Sequence, residues 1–534
     1  MLVLARYLIE RNPMKHPDVI IVGAGPVGAA LALDLGMRGV SCVVVEARTA
    51  MANIPKGQGL TQRTLEHFYF WGLDEQLRAA RAMPRGYPIG EITAYRSLAG
   101  KYWQAPAGRE VVRDYFFQAQ ERLPQYRMEA VLRGKLATLP NVALRLGVAA
   151  SAFEQTADGV RVTVTNERGE TETLEARYLV GCDGGQSKVR QAAGLDRHGT
   201  DFDQTMTLMV FRSRDLHEKL KRFPERSTYR VMDPAYHGYW KFFGRVDVGE
   251  SFFFHAPIGS KTPAKDFDFK AMIYEAAGFE FALELDHAGF WELRNAVATS
   301  YRNGSIFIAG DAAHSHPPYG GYGLNNGLED AVNLSWKISA HLSGWGGARL
   351  LDTYSAEREP VFREVAEDFI AARIREDDAF LSRYLPERDL AEFEAAWNAR
   401  VTDVGSRRKA YEPHYEASPI VHGPPGGKTT AHGTHSLKAR AGHHLTPQVL
   451  SDGQNVYEAL GRDFTLLAFD ADGDAFEAAA QALRIPLKVV RDKSPAAREN
   501  YSASLVLVRP DQHVAWTGEL AAGADSILKK VTAQ

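Results

Sequence analysis

Three glycine-rich stretches hold the residues best placed to do chemistry. Residues 18–46 read DVIIVGAGPVGAALALDLGMRGVSCVVVE, with Gly23, Gly25 and Gly28 at G-x-G-x-x-G spacing. The first glycine permits a tight turn, the second lets backbone approach a pyrophosphate, and the third lets a helix pack closely on a strand. The helix N-terminus then faces negative phosphates. Glu46 closes the second strand, where a carboxylate accepts hydrogen bonds from a ribose. Strand, loop, helix, strand and terminal acid in register make this a dinucleotide site. The second stretch, 176–190, reads ARYLVGCDGGQSKVR: a strand, then Asp183, then a helix with Ser187 as its capping candidate. The third, 305–337, reads SIFIAGDAAHSHPPYGGYGLNNGLEDAVNLSWK. A short apolar strand stops at Gly310-Asp311, a His/Pro/Gly loop follows, and a helix follows that, with Leu328, Val332 and Trp336 one turn apart. An acid at a strand end before a glycine loop and helix N-terminus holds a polar ligand against backbone N–H groups.

The rest of the chain must position these stretches. Its 534 residues imply two or three domains. With 45% apolar residues, 24% charged and a net charge of −3, it has a globular composition and no basic field for nucleic acid or anionic membrane. Its apolar runs fall short of the roughly 20 residues that span a bilayer. The first fifteen residues lack a signal-peptide core and are expected to be a loose extension, with Met14 as an alternative start. A cytoplasmic location follows. The two cysteines, Cys42 and Cys182, build no disulfide framework or metal cluster. His314 and His316 have no third ligand at useful spacing, so no metal is expected.

Taken together and in this order, the glycine fingerprint, c-D-G-x-x-S-x-v-R and G-D-A-A-H-x-x-P-P-x-x-G-x-G-x-N resemble the flavoprotein aromatic hydroxylases. These are single-component FAD monooxygenases of the p-hydroxybenzoate hydroxylase and phenol hydroxylase type. The resemblance covers about residues 16–370, including LDTYSAEREP at 351–360. It implies an α/β fold: a Rossmann-like FAD-binding domain (16–199 and 285–400), an interleaved mixed β-sheet substrate domain (200–284, with parts of 85–118), a connector (401–444) and a C-terminal thioredoxin-like domain (445–534). That last domain has no cysteine, so thiol–disulfide chemistry is excluded. The connector's Gly, Pro and His content, with irregularly spaced histidines, predicts a solvated loop.

The resemblance also implies roles. Gly23, Gly25, Gly28 and Glu46 match the ADP-binding residues of FAD. Gln125 matches a glutamine near the pyrophosphate and ribityl chain, and Asp183 an aspartate serving FAD and NAD(P)H. Gly310 and Asp311 match the ribityl site, with Asp311 on the hydroxyls. Pro318 matches a proline whose carbonyl lies near the reacting ring. Gly323, Leu324 and Asn325 match the turn whose amides face the flavin pyrimidine. Where the family often has arginine, this chain has Lys56, a point charge in place of a bidentate fork.

Residues 236–257, YHGYWKFFGRVDVGESFFFHAP, read as an aromatic hairpin turning at 247–249. Only one face of it can meet a ligand. The hairpin either packs a core or walls a pocket for an aromatic ring. His255 and Tyr239 are the candidates to contact a phenol hydroxyl.

The expected activity is hydroxylation of a phenolic ring with O2 and NAD(P)H by way of a flavin C4a-hydroperoxide, with FAD bound and NAD(P)H a transient co-substrate. A homodimer is one option for its assembly. Two alternatives stand beside this. One is a monooxygenase of the same fold that tailors or inactivates a polyketide or antibiotic. The other, of a different class, is a non-catalytic flavin-binding regulator or scaffold. A flavin halogenase is disfavoured because W-x-W-x-I-P is absent.

Overall fold

The computed structural model describes residue 14, residues 16–259 and residues 262–534, with backbone alone at 200–203 and 402–404. The expected N-terminal extension lies outside the described residues except for Met14.

Val19–Val22, Cys42–Glu46, Tyr178–Gly181 and Ile306–Ile308 are short β-branched runs buried on both faces, as parallel strands under covering helices must be. They form one sheet in the order Arg302–Asn303, Ile306–Ile308, Tyr178–Gly181, Val19–Val22, Cys42–Glu46, Val142–Leu146, parallel except for the first strand. All three glycine-rich stretches therefore leave adjacent strands at the same sheet edge, where ligands bind in open parallel sheets. A three-stranded meander, Val148–Thr156, Gly159–Asn166 and Thr171–Ala176, follows the last of these strands.

An eight-stranded mixed sheet lies beside it. Its order is His314–Ser315, Glu284–Ala298, Arg197–Arg212, Ser251–Pro257, Trp240–Arg245, Thr228–Met232, Glu91–Tyr95, Trp103–Gln104. Glu284–Ala298, given by sequence to the FAD-binding part, pairs along most of its length with Arg197–Arg212 and so belongs to this sheet. Strand alternation sorts the aromatic hairpin into two faces. Phe243, Phe252 and Phe254 join Met209, Phe211 and Tyr229 in a core under the Phe269–Ala277 helix. Phe242, Phe253 and His255 take the opposite face. That face looks toward the FAD-binding part, as the contacts Arg122 to Phe253 and Tyr319 to Trp240 show.

The C-terminal sheet has the order Leu487–Asp492, Phe464–Phe469, Leu505–Val508, Val514–Gly518, with the first pair parallel and the rest antiparallel, a thioredoxin-like arrangement. It is bolted to the Gly323–Leu342 helix. The Arg509 guanidinium donates to Glu357 (2.7 and 2.8 Å) and Asp511 (2.9 and 2.6 Å), Lys337 to Glu357 (2.7 Å), and the Trp336 indole to Asp511 (3.1 Å). Buried charges cost several kcal/mol each unless paired this fully. The two cations hold the Glu357 carboxyl far below its usual range, against burial.

The connector is not a solvated loop. The Leu390–Ala410 helix enters it, Tyr411–Tyr415 pairs with Thr429–His432, and His443 is buried with its ring nitrogens 3.1 and 3.0 Å from Glu412 and Glu416. His444 reaches Glu66 at 2.7 Å. Long-range pairs with carboxylates hold this segment, so its lack of periodicity misled. Glu412, His414 and His443 place ligand atoms within 4.8 Å of one another, but Arg440 already supplies a cation to Glu412 at 2.5 Å. Among the described residues no helix is long and apolar enough to cross a membrane.

Candidate active site

The first glycine loop is shaped by its own packing. Gly23 has φ +101° and donates to Val45 O at 2.8 Å, and a Cβ there would lie 2.4 Å from Cys182 O. A Cβ at Gly28 would lie 2.0 Å from Gly23 O, so helix and strand approach too closely for a side chain. At Gly25 nothing lies within 4 Å of that position. The fold needs glycine at 23 and 28, whereas at 25 the room serves something outside the chain. Glu46 is fixed at the loop, accepting from Ala24 N at 2.9 Å and Arg48 N at 3.0 Å.

The second stretch is turned inward. The Asp183 carboxylate accepts from Ser187 Oγ (2.5 Å), Lys188 N (2.7 Å) and Val189 N (3.2 Å), capping the Lys188–Ala192 helix. Arg190 on that helix donates to Ala312 O at 3.1 Å and so ties the second stretch to the third.

In the third stretch Asp311 is exposed, between the buried Gly310 and Ala312. Desolvation by the surrounding protein still raises its pKa, with the charges of His314 and Lys56 pulling down. Pro318 is exposed in the loop, and Arg109 donates to Gly320 O at 2.6 Å. The Gly323–Leu342 helix has no side-chain cap, and its first internal bond is Asn326 N to Tyr322 O at 2.9 Å. The amides of Gly323, Leu324 and Asn325 therefore have no intrahelical partner. Asn325 donates to Gly59 O (2.9 Å) and Gly321 O (2.6 Å) and accepts from Thr61 N (2.9 Å) and Thr64 Oγ1 (2.6 Å), which pins residues 59–64 to this turn. A Cβ at Gly57 would lie 3.3 Å from both Gln125 Oε1 and Leu324 Cδ2. Two candidates far apart in sequence, Gln125 and Leu324, thus converge beside the residue that follows Lys56. His314 stacks on Phe362 at 3.6 Å, and the His316 Nδ1–H donates to Pro317 O at 2.5 Å, so both have structural work.

His255 is buried on the same sheet face as Phe242 and Phe253. Burial pulls its pKa to about 4, against a hydrogen bond to the Thr207 backbone, and among the described residues its Nδ1 has no partner. Tyr239 precedes its strand and packs instead near Tyr319, with ring centroids 6.1 Å apart. The two belong to different clusters. A His with a depressed folded pKa stabilises the fold above its unfolded value of about 6.5 and loses that contribution as pH falls toward 4. In thermal melts from pH 7 to 4, His255→Phe is expected to lose up to about 3 kcal/mol less stability than the wild type. Parallel curves would contradict this.

Residues 16–368 match the FAD binding domain model, and residues 438–534 match the model for the aromatic-ring hydroxylase C-terminal domain. The chain belongs to the FAD-dependent aromatic-ring hydroxylases. This hydroxylase is 31% identical over 522 residues to the 12-dehydrotetracycline 5-monooxygenase/anhydrotetracycline 6-monooxygenase of Streptomyces rimosus, covering 96% of this chain and 97% of that one. It is 31% identical to a 4-methyl-5-nitrocatechol 5-monooxygenase from Burkholderia sp, with 95% of each chain covered. Among solved structures it resembles RebC with bound 7-carboxy-K252c at a TM-score of 0.84, with 30% identity over 97% of this chain and 99% of that one.

The hydroxylase's residues fit FAD on two observations: the room beside Gly25 and the uncapped amide turn at 323–325. Sequence reasoning missed two groups here. Arg133 donates to Ala24 O at 2.7 Å, which puts a guanidinium against the first glycine loop. Its signal was available: Gln125, Glu129 and Arg133 recur every four residues and share one helix face. Asp330, buried with 0% exposure, accepts from Gly310 N (3.1 Å), His314 Nε2 (2.6 Å) and Arg358 Nε (2.7 Å). Nothing local marks it out among the acids of that helix.

Proposed function

We propose that this hydroxylase adds one oxygen atom to a phenolic ring, using O2 and NAD(P)H. The observation that supports this reading is the aromatic sheet face of Trp240, Phe242, Phe253 and His255, on which Trp240 meets Tyr319, the residue after Pro318. An aromatic floor favours a flat ring, and a buried neutral imidazole offers it one hydrogen-bonding nitrogen. Bound FAD would supply the activation of O2, which protein side chains cannot.

The chain's own part is to hold and shield. Gly23, Gly25, Gly28, Glu46 and Arg133 would take the ADP half, with Gln125, Lys56 and Asp311 along the ribityl chain. Gly323, Leu324 and Asn325 would aim N–H groups at negative charge on the ring system. Pro318 and Gly310 shape the turn between cofactor and substrate. Asp183, its oxygens already on the Lys188–Ala192 helix, would act by placing that loop. His255 is the group best placed for a substrate hydroxyl, and Tyr239 would close the far end. The sheet face would keep water from the reacting atoms.

The Streptomyces rimosus relative favours a second reading, the same chemistry on a larger polyketide or antibiotic. A panel of mono- and dihydroxybenzenes, hydroxybenzoates and tetracyclic phenols tests both, with NAD(P)H oxidation and product formation measured together. Coupled turnover of a single-ring phenol supports the first reading. Coupled turnover of tetracyclic phenols alone supports the second.

A further inference from the structure

Among the described residues, no carboxylate pairs with the buried guanidinium of Arg122. It is 7% exposed, and burial alone pulls its pKa down to about 10. Among the described residues its Nε has no hydrogen-bond partner, and its Nη2 makes a long bond, 3.4 Å to Arg245 O. The three most buried arginines are matched by an acid, Arg230 by Asp377 at 3.1 Å, Arg358 by Asp330 at 2.7 Å and Arg509 by Glu357 at 2.7 Å, and the buried Arg245 is held by Tyr229 Oη at 3.1 Å and His217 Nδ1 at 2.9 Å. The adjacent acid, Glu121, is taken by Arg81 at 2.9 Å. An uncompensated buried guanidinium is costly to keep.

Its position suggests what it is kept for. Its Cζ stands 5.9 Å from the Phe253 ring centroid, on the ligand-facing side of the sheet. Gly244 makes the room: a Cβ there would lie 3.0 Å from Arg122 Nη2 and 2.0 Å from the Phe253 ring. Gln58, whose carbonyl accepts from Leu123 N at 3.1 Å, has a buried Nε2 without a partner. Beyond Phe253, His255 and Trp291 stand with rings 6.1 Å apart, and Trp291 Nε1 is also unpartnered. Unmatched donors therefore flank the aromatic floor, and the cationic one, Arg122, is best met by an acceptor that carries negative charge.

We infer that Arg122 pairs with an anionic oxygen of the substrate, a ring carboxylate or an ionised enol, and so selects negatively charged aromatic substrates. This rests on the substrate site proposed above and names its ligand class. Arg122 positions and selects the substrate. The hydroxylation itself is left to the cofactor side.

Binding to the FAD-loaded protein tests it without turnover, by perturbation of the flavin absorption band. The probes are benzoate, its neutral isostere benzamide, and 2-hydroxy-1,4-naphthoquinone, an ionised enol at pH 7. The wild type is expected to bind one of the two anions at least tenfold tighter than benzamide. Whichever anion shows the preference identifies the source of the charge. Arg122→Gln is expected to erase that preference, Arg122→Lys to keep part of it, and neither to change benzamide binding. Because the charge is unpaired, Arg122→Gln is also expected to melt no lower than the wild type. Equal binding of anions and benzamide by the wild type overturns the inference. So does a flavin spectrum altered by Arg122→Gln before any probe is added, which would give Arg122 to the cofactor. A protein that binds the anions but turns over no phenol would sink the proposed function and leave this inference standing.

Discussion

Gly28→Ala is expected to purify without FAD and to melt earlier than the wild type. Its new Cβ would meet a backbone oxygen 2.0 Å away, and a backbone oxygen cannot step aside as a side-chain end can. The Pro26–Met37 helix would have to lift off the strand at its N-terminus, where phosphates are expected. Overpacking of this kind costs about 1–3 kcal/mol. Gly25→Ala is the matched control. Its Cβ enters open space, so the melting temperature is expected to hold while FAD affinity falls at least tenfold. Flavin absorbance per protein and thermal melts of the FAD-free forms separate the two. Equal FAD content in Gly28→Ala and wild type would refute the packing account of that glycine.

The second large effect is expected at Asp330. Removing its carboxylate in Asp330→Ala leaves the Arg358 guanidinium, 1% exposed, without its acid, and frees Gly310 N and His314. Breaking a buried pair from one side costs about 3–5 kcal/mol. The lost bond to Gly310 also loosens the turn that carries Asp311. Asp330→Ala is therefore expected both to unfold at lower denaturant and to hold FAD more weakly. A denaturant midpoint within error of the wild type would show that Asp330 does no such work.

Much of this was legible in sequence, for physical reasons that differ by element. The three glycine stretches could be read because backbone constraints are local: a turn, a close approach and a helix start each demand particular residues within a few positions. Their convergence followed from parallel βαβ topology. The aromatic hairpin was legible as a hairpin, and strand alternation decided its faces only once the packing was known. It assigned Phe243, Phe252 and Phe254 to the core and Phe242, Phe253 and His255 to the face toward the FAD-binding part. The connector misled because its order comes from pairs such as His443 with Glu412 and Glu416, which composition cannot foresee. Asp330, Glu357 and Arg122 were missed for the same reason: what sets them apart is a partner, or the lack of one, supplied by another part of the chain.

The reaction proposed for this chain transfers one oxygen atom from O2 to an aromatic ring. The most direct measurement is mass analysis of the product formed by FAD-loaded protein, NAD(P)H and a phenolic substrate under ¹⁸O2. Product carrying one ¹⁸O atom, formed in step with NAD(P)H consumed, is the expected result. NAD(P)H oxidation that yields only hydrogen peroxide across the phenol panel, or product whose new oxygen comes from water, would contradict it.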